Sequence, residues 1–159
     1  MVKSIAPNVR RANPNIPTPI IDAEAQFRED FFVYAIEVAD LDPAASTSTS
    51  IQIDATSHFK WIKTTCFGFG VGEDPQQTQA TRIILPITMQ ITDGASGLQL
   101  FSAPLPLPLV CGEGDLPFIQ PLPRIFAARS TINLTFANYG LEDFHFWVAF
   151  VGVKMFEQG

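Results

Sequence analysis

Two stretches, residues 31–38 and 144–153, place β-branched and aromatic side chains on both faces that an extended chain presents. Successive side chains of a strand point to opposite sides, so such a strand has apolar groups to bury in two directions. The first reads Phe31-Phe32-Val33-Tyr34-Ala35-Ile36-Glu37-Val38. The second reads Phe144-His145-Phe146-Trp147-Val148-Ala149-Phe150-Val151-Gly152-Val153 and ends at Lys154. Both have the pattern of sandwich strands covered twice.

Other segments alternate with a period of two. Ile51 and Ile53 alternate with Ser50, Gln52 and Asp54. Over residues 58–67, Phe59, Trp61, Lys63, Thr65 and Phe67 share one side, and Lys60, Ile62, Thr64 and Cys66 the other. Ile87, Met89 and Ile91 alternate with Thr88, Gln90 and Thr92, and Pro86 confines the start of that segment to an edge or a bulge. Ile132, Leu134 and Phe136 form a further inward set. Turn signals separate these runs: Asp93-Gly94 with Ser96-Gly97, and Asn138-Tyr139-Gly140. No stretch shows a capped helical period. Seven to eight strands at this spacing predict an all-β fold, an antiparallel β-sandwich of jelly-roll type. Residues 28–159 form its single domain, preceded by an extended proline-rich arm over residues 1–27.

Charged residues are only 16% of the 159, against 47% hydrophobic, where ordinary domains carry roughly a quarter charged residues. A chain so poor in charge exposes apolar surface or buries it against partners. The 14 phenylalanines, against 2 Trp and 2 Tyr, suit cores and subunit interfaces. A net charge of −6 disfavours nucleic acid as a partner. No run reaches the ~18 apolar residues of a spanning helix, and no secretory signal is evident, so no membrane is expected and a cytosol is the expected site of synthesis. In that setting Cys66 and Cys111 read as buried, inert thiols.

The chemical census is sparse. Asp54 precedes His58, and Asp143 lies two residues before His145, yet strand histidines with a hydrogen bond explain both arrangements. Glu73, Asp74, Glu113, Asp115, Glu142 and Asp143 fall in loops without the spacing of a calcium site. The Gly68, Gly70, Gly72 run lacks the lysine and helix of a phosphate cradle. No enzyme activity, cofactor or metal is expected. Of Trp61, Trp147, Tyr34 and Tyr139, the first three sit mid-strand and are expected in the core. Tyr139, in a turn, is expected at the surface as the one candidate for stacking on a sugar.

Two irregular regions are candidates for partner binding. In the arm, Arg10 and Arg11 place positive charge on an acidic protein, and Ile16, Ile20 and Ile21 offer apolar anchors; a disordered tail and a strap across a neighbouring subunit both fit. Pro104, Leu105, Pro106, Leu107 and Pro108 alternate in a way that predicts polyproline II or an extended surface strap, lying on its own sandwich or on another protein. Phe118 and Arg124, in the irregular proline-bearing stretch that follows, complete the set.

One set of residues resembles a known family. It runs through Phe59-Lys60-Trp61, Gln90-Ile91-Thr92-Asp93, Ser96-Gly97, Leu100-Phe101, Pro104, Pro106, Gly112, Gly114, Leu116-Pro117-Phe118 and Pro121-Leu122-Pro123-Arg124. It closes with Phe126, Ala128 and Ser130, then Phe150-Val151-Gly152-Val153-Lys154-Met155-Phe156. Over roughly residues 30–156 the chain resembles small structural proteins of tailed-bacteriophage virions. The resemblance implies a capsid decoration or cement protein, made in the bacterial host cytoplasm and placed on the capsid surface. Its implied partners are the major capsid protein and itself, as a homotrimer or homodimer. A receptor- or glycan-binding head-fibre or tail-spike module, and a neck or collar component, are the alternatives.

Overall fold

The computed structural model describes residues 27–72 and 84–157. The expectations for Arg10, Arg11, Ile16, Ile20 and Ile21 lie outside the described residues.

Among the described residues, eight strands and one helical turn follow in order. They are β1 (Phe27–Leu41), β2 (Ser46–Gln52), β3 (His58–Gly70), β4 (Ile87–Asp93), β5 (Leu105–Pro106), α1 (Leu107–Val110), β6 (Phe118–Phe126), β7 (Thr131–Asn138) and β8 (Phe144–Glu157). They form two four-stranded antiparallel sheets, β1-β8-β3-β6 and β2-β7-β4-β5. The result is the expected all-β sandwich. The sheets differ in length: β1, β8 and β3 have 15, 14 and 13 residues, whereas β2, β7 and β4 have 7, 8 and 7. We call them the long and the short sheet.

The alternating residues of the short sheet supply one side of the core. Ile87, Met89 and Ile91 on β4, with Ile132, Leu134 and Phe136 on β7, have no solvent exposure. The long sheet answers with Phe59, Phe126, Phe146 and Phe150, also buried. Phe136 and Phe146 meet edge-on across the layers, with centroids 5.2 Å apart and planes at 74°, an arrangement that adds about 1 kcal/mol to the area buried. Asn138 closes the end of β7. Its amide nitrogen donates to the carbonyls of Leu41 and Glu142, each at 2.8 Å, and its oxygen accepts from the Gly140 amide at 2.8 Å.

At the opposite end Lys154 is paired with Asp54, and its ammonium lies 3.3 Å from the centroid of the Phe32 ring. Gly152 marks a close approach: a Cβ there would run into the carbonyl oxygen of Lys60. That contact lies where the β3–β8 register shifts between Trp61 and Lys63.

The proline–leucine segment is not an extended surface strap. Leu105 and Pro106 pair with Met89 and Thr88 at the edge of the short sheet, where a proline's missing donor costs no ladder bond. The chain then closes one helical turn, which sets Leu107 and Val110 on the same side, and both are buried in the core. Leu107, expected at a partner surface, belongs to the protein's own interior. Pro104, Pro108 and Leu109 stay exposed, and Leu105 and Pro106 are half-buried.

Candidate interaction face

Each sheet turns one face to the core and one away, and the two outward faces differ in chemistry. On the short sheet the outward positions are Ser46, Ser48, Ser50 and Gln52 on β2, beside Thr131, Asn133 and Thr135 on β7. Their side chains bond to one another: Ser48 Oγ lies 3.0 Å from Thr135 Oγ1, and Thr131 Oγ1 donates to Gln52 Oε1 at 3.0 Å. This is a surface for water.

The outward face of the long sheet is apolar. Residues that alternate with buried Phe146, Val148 and Phe150 fall into rows across the strands. One row runs Phe31, Val153, Lys60, Ile125; the next runs Val33, Val151, Lys63, Ile119. Then come Ala35, Ala149, Thr65; Glu37, Trp147, Phe67; and His145, Phe69. Phe31 is 74% exposed, Ile119 64%, Ile125 54%, Phe67 47% and Val33 37%. Trp147, Ala149, Val151, Val153 and Phe69 are half-buried. Monomeric proteins rarely leave so extended an apolar patch open to water.

Four rings concentrate at one end of this face. Phe67 and Trp147 stack at 6.0 Å and 26°, Phe69 and His145 at 5.4 Å and 15°, and His145 and Trp147 lie 4.4 Å apart. His145 is held by β1 rather than by Asp143. Its Nε2 is 2.8 Å from Glu37 Oε1, and its Nδ1 is 3.8 Å from Asp40 Oδ1. His58 likewise does not pair with Asp54. Its Nδ1 accepts from the Ala128 amide at 3.2 Å, and Glu157 is 3.7 Å from its Nε2. Neither sequence-adjacent acid–histidine pair forms.

Trp61 is buried, with Nε1 donating to the Lys63 carbonyl at 3.1 Å, and Tyr139 is exposed. Trp147 departs from expectation, since its mid-strand position lies on the outward side of β8. Arg124 is not a free surface cation. Its Nη2 donates to Asp93 Oδ2 at 3.1 Å, and its guanidinium lies 5.6 Å from the Phe126 centroid. Phe118 is half-buried opposite Thr64. Of the residues singled out from sequence, His145 and Trp147 lie on the apolar face, whereas none of the described partner-binding candidates does. The signal for that face was the two-sided hydrophobicity of residues 31–38 and 144–153.

Cys66 and Cys111 are free thiols held side by side. The Cys66 amide donates to the Gly112 carbonyl at 2.7 Å, the Gly112 amide donates to Thr64 at 3.2 Å, and the two side chains are hydrogen-bonded. That bond, and then burial, push the Cys111 thiol well up, while the same bond lowers the Cys66 thiol. Among the described residues no three His, Cys, Asp or Glu side chains gather in a metal-binding arrangement. A shallow hollow lined by Gly94, Ala95 and residues 127–131 holds no acid–base pair. No helix among them is long and apolar enough to cross a membrane.

No family model, curated protein or solved structure matches this chain.

Proposed function

We propose that this chain is a non-enzymatic structural subunit of a tailed-phage virion, a capsid decoration or cement protein that binds and stabilises neighbouring capsid subunits. The observation that carries the reading is the outward face of the long sheet, which is built like a second core surface and has nothing of the described chain upon it. A subunit that functions by being assembled needs such a surface, and an isolated soluble domain does not.

The strand orders β1-β8-β3-β6 and β2-β7-β4-β5 support the reading further. These orders are those expected of an eight-stranded jelly roll, an architecture common in viral capsid and lectin domains. That support is by analogy of fold. The resemblance of residues 30–156 to phage structural proteins points the same way. The test is the intensity of this protein's band relative to the major capsid protein in purified particles. Comparable intensity is expected of a cement protein; a trace band contradicts it and favours a fibre or collar component.

A second reading rests on the ring cluster of Phe67, Phe69, Trp147 and His145, with Glu37 and Asp40 at its border. Aromatic faces beside carboxylates suit sugar binding, as in a head-fibre module. Glycan-array binding that is lost in Trp147→Ala would favour this reading.

A further inference from the structure

The geometry points to a second copy of this chain as the occupant of the apolar face: two long sheets packed face to face about a two-fold axis. The inference rests on the reading above in taking that face as an assembly surface, and it names which molecule covers it.

Three observations favour a second copy. The first is electrostatic. In a two-fold contact the same patch meets itself, so a patch with net charge would oppose like charges. This protein carries a net charge of −6, yet the face is close to balanced. Glu29 lies 3.4 Å from Lys60, Glu37 is bonded to His145, and Lys63 lies among Val151 and Ile119. Further acids, Asp40 beside His145 and Glu157 beside His58, lie at the two ends of the face rather than in its middle.

The second is size. Four strands ~4.8 Å apart, with three of them near 13 residues at ~3.3 Å each, present roughly 750 Å². One partner's share of a standard interface is about 800 Å². By contrast the isoleucines of the segment preceding β1, Ile5, Ile16, Ile20 and Ile21, are few against the five rows of the sheet.

The third is shape. Antiparallel sheets pack face to face at about 10 Å with strands within about 30° of one another, and small and large side chains interdigitate. The central row, Ala35, Ala149 and Thr65, is small, and the rows on either side carry Val33, Val151, Trp147 and Phe67. With the two-fold axis displaced from the middle by half a row spacing along the strands, the low row of each copy receives a taller row of the other. The edges are less suited to pairing with a copy. β6 carries Pro121 and Pro123, and β1 begins with Arg28, Glu29 and Asp30.

The test combines sedimentation velocity with hydroxyl-radical footprinting of the full-length protein across a dilution series. A dimer is expected at micromolar concentration, with Trp147 and Phe67 several-fold less reactive in the dimer than on dilution, and Tyr139 unchanged. Val151→Asp is expected to be monomeric with an unaltered circular dichroism spectrum, while Ser48→Asp on the short sheet dimerises as the wild type does. Four outcomes overturn the inference: a monomer at every concentration with Trp147 uniformly reactive; a dimer whose Trp147 reactivity does not change on dilution; a monomer whose Trp147 becomes reactive only when residues 1–26 are deleted; and protection of Trp147 only on addition of capsids. The wild-type footprint decides the matter even if Val151→Asp fails to fold. Capsid binding is scored separately, so a dimer that ignores capsids contradicts the proposed function alone, and a monomer that coats them contradicts the dimer alone.

Discussion

Phe67 and Trp147 stack across β3 and β8, with centroids 6.0 Å apart and planes at 26°, on the side of the long sheet that faces away from the core. A cross-strand pair of this kind adds up to about 1 kcal/mol to its own sheet, but it lies outside the core that joins the two sheets. Behind it, Phe146 and Val148 already fill the space between the sheets. Two large rings kept flat at a surface are better explained by what they will touch in an assembly than by the fold of one chain.

Asp93 ties the β4 turn to β6, and its contribution depends on pH. Burial works to raise its carboxyl, but bonds from the Ser96 hydroxyl, the Ala95 amide and Arg124 outweigh it and hold the group below the ordinary carboxylate range. A carboxyl lowered in the folded state contributes stability above its unfolded value, about 3.9, and loses it as pH falls through the folded value. Asp93→Asn is expected to cost about 1–2 kcal/mol near neutral pH. In urea unfolding the difference from wild type should vanish once the pH lies below the folded value.

The cysteine pair yields a chemical prediction. Because Cys111 donates to Cys66 and lowers it, Cys66 should alkylate at lower pH than an ordinary thiol, and Cys111 only after unfolding. Cys111→Ala removes the donor and should move the Cys66 alkylation midpoint upward. Mass spectrometry of the labelled peptides reads both.

Thr64 is fully buried, and its hydroxyl has no hydrogen-bond partner. Thr64→Val keeps the shape and removes the stranded polar group, so it should raise stability by about 1 kcal/mol in thermal unfolding.

Gly152 permits a close approach that no side chain fits. Gly152→Ala would drive a methyl group into the Lys60 carbonyl at the register shift of β3, and a loss of about 3 kcal/mol or more is expected. Failure of this variant to fold at 37 °C, with recovery at low temperature, would agree with that cost.

The strands were legible because each is written locally. Ile132, Leu134 and Phe136 point inward by period alone, and Asn138-Tyr139-Gly140 turns as its residues dictate. The double-sided runs at 31–38 and 144–153 also announced a second cover. What they could not reveal is that β1, β8 and β3 lie side by side, because that pairing joins residues as far apart as Phe27 and Glu157. For the same reason the sequence near His145 shows only Asp143, whereas its partner Glu37 comes from 108 positions away. For the proline–leucine run, the backbone rule of missing donors alone predicts an extended segment. One helical turn satisfied that rule and also placed Leu107 and Val110 in the core. The pairing of Arg124, a partner-binding candidate, with Asp93 is not legible in sequence because Asp93 lies on the opposite sheet.

The central claim is that the outward face of the long sheet exists for assembly. The double variant Phe67→Ser, Val151→Ser tests it most directly when its folding stability and its uptake onto purified particles are measured together. The account expects stability within about 1 kcal/mol of wild type, since both positions face outward, and a loss of uptake of at least tenfold, because the two-fold dimer closed by this face is the species that coats particles. Uptake equal to wild type, with the same stability, would contradict it.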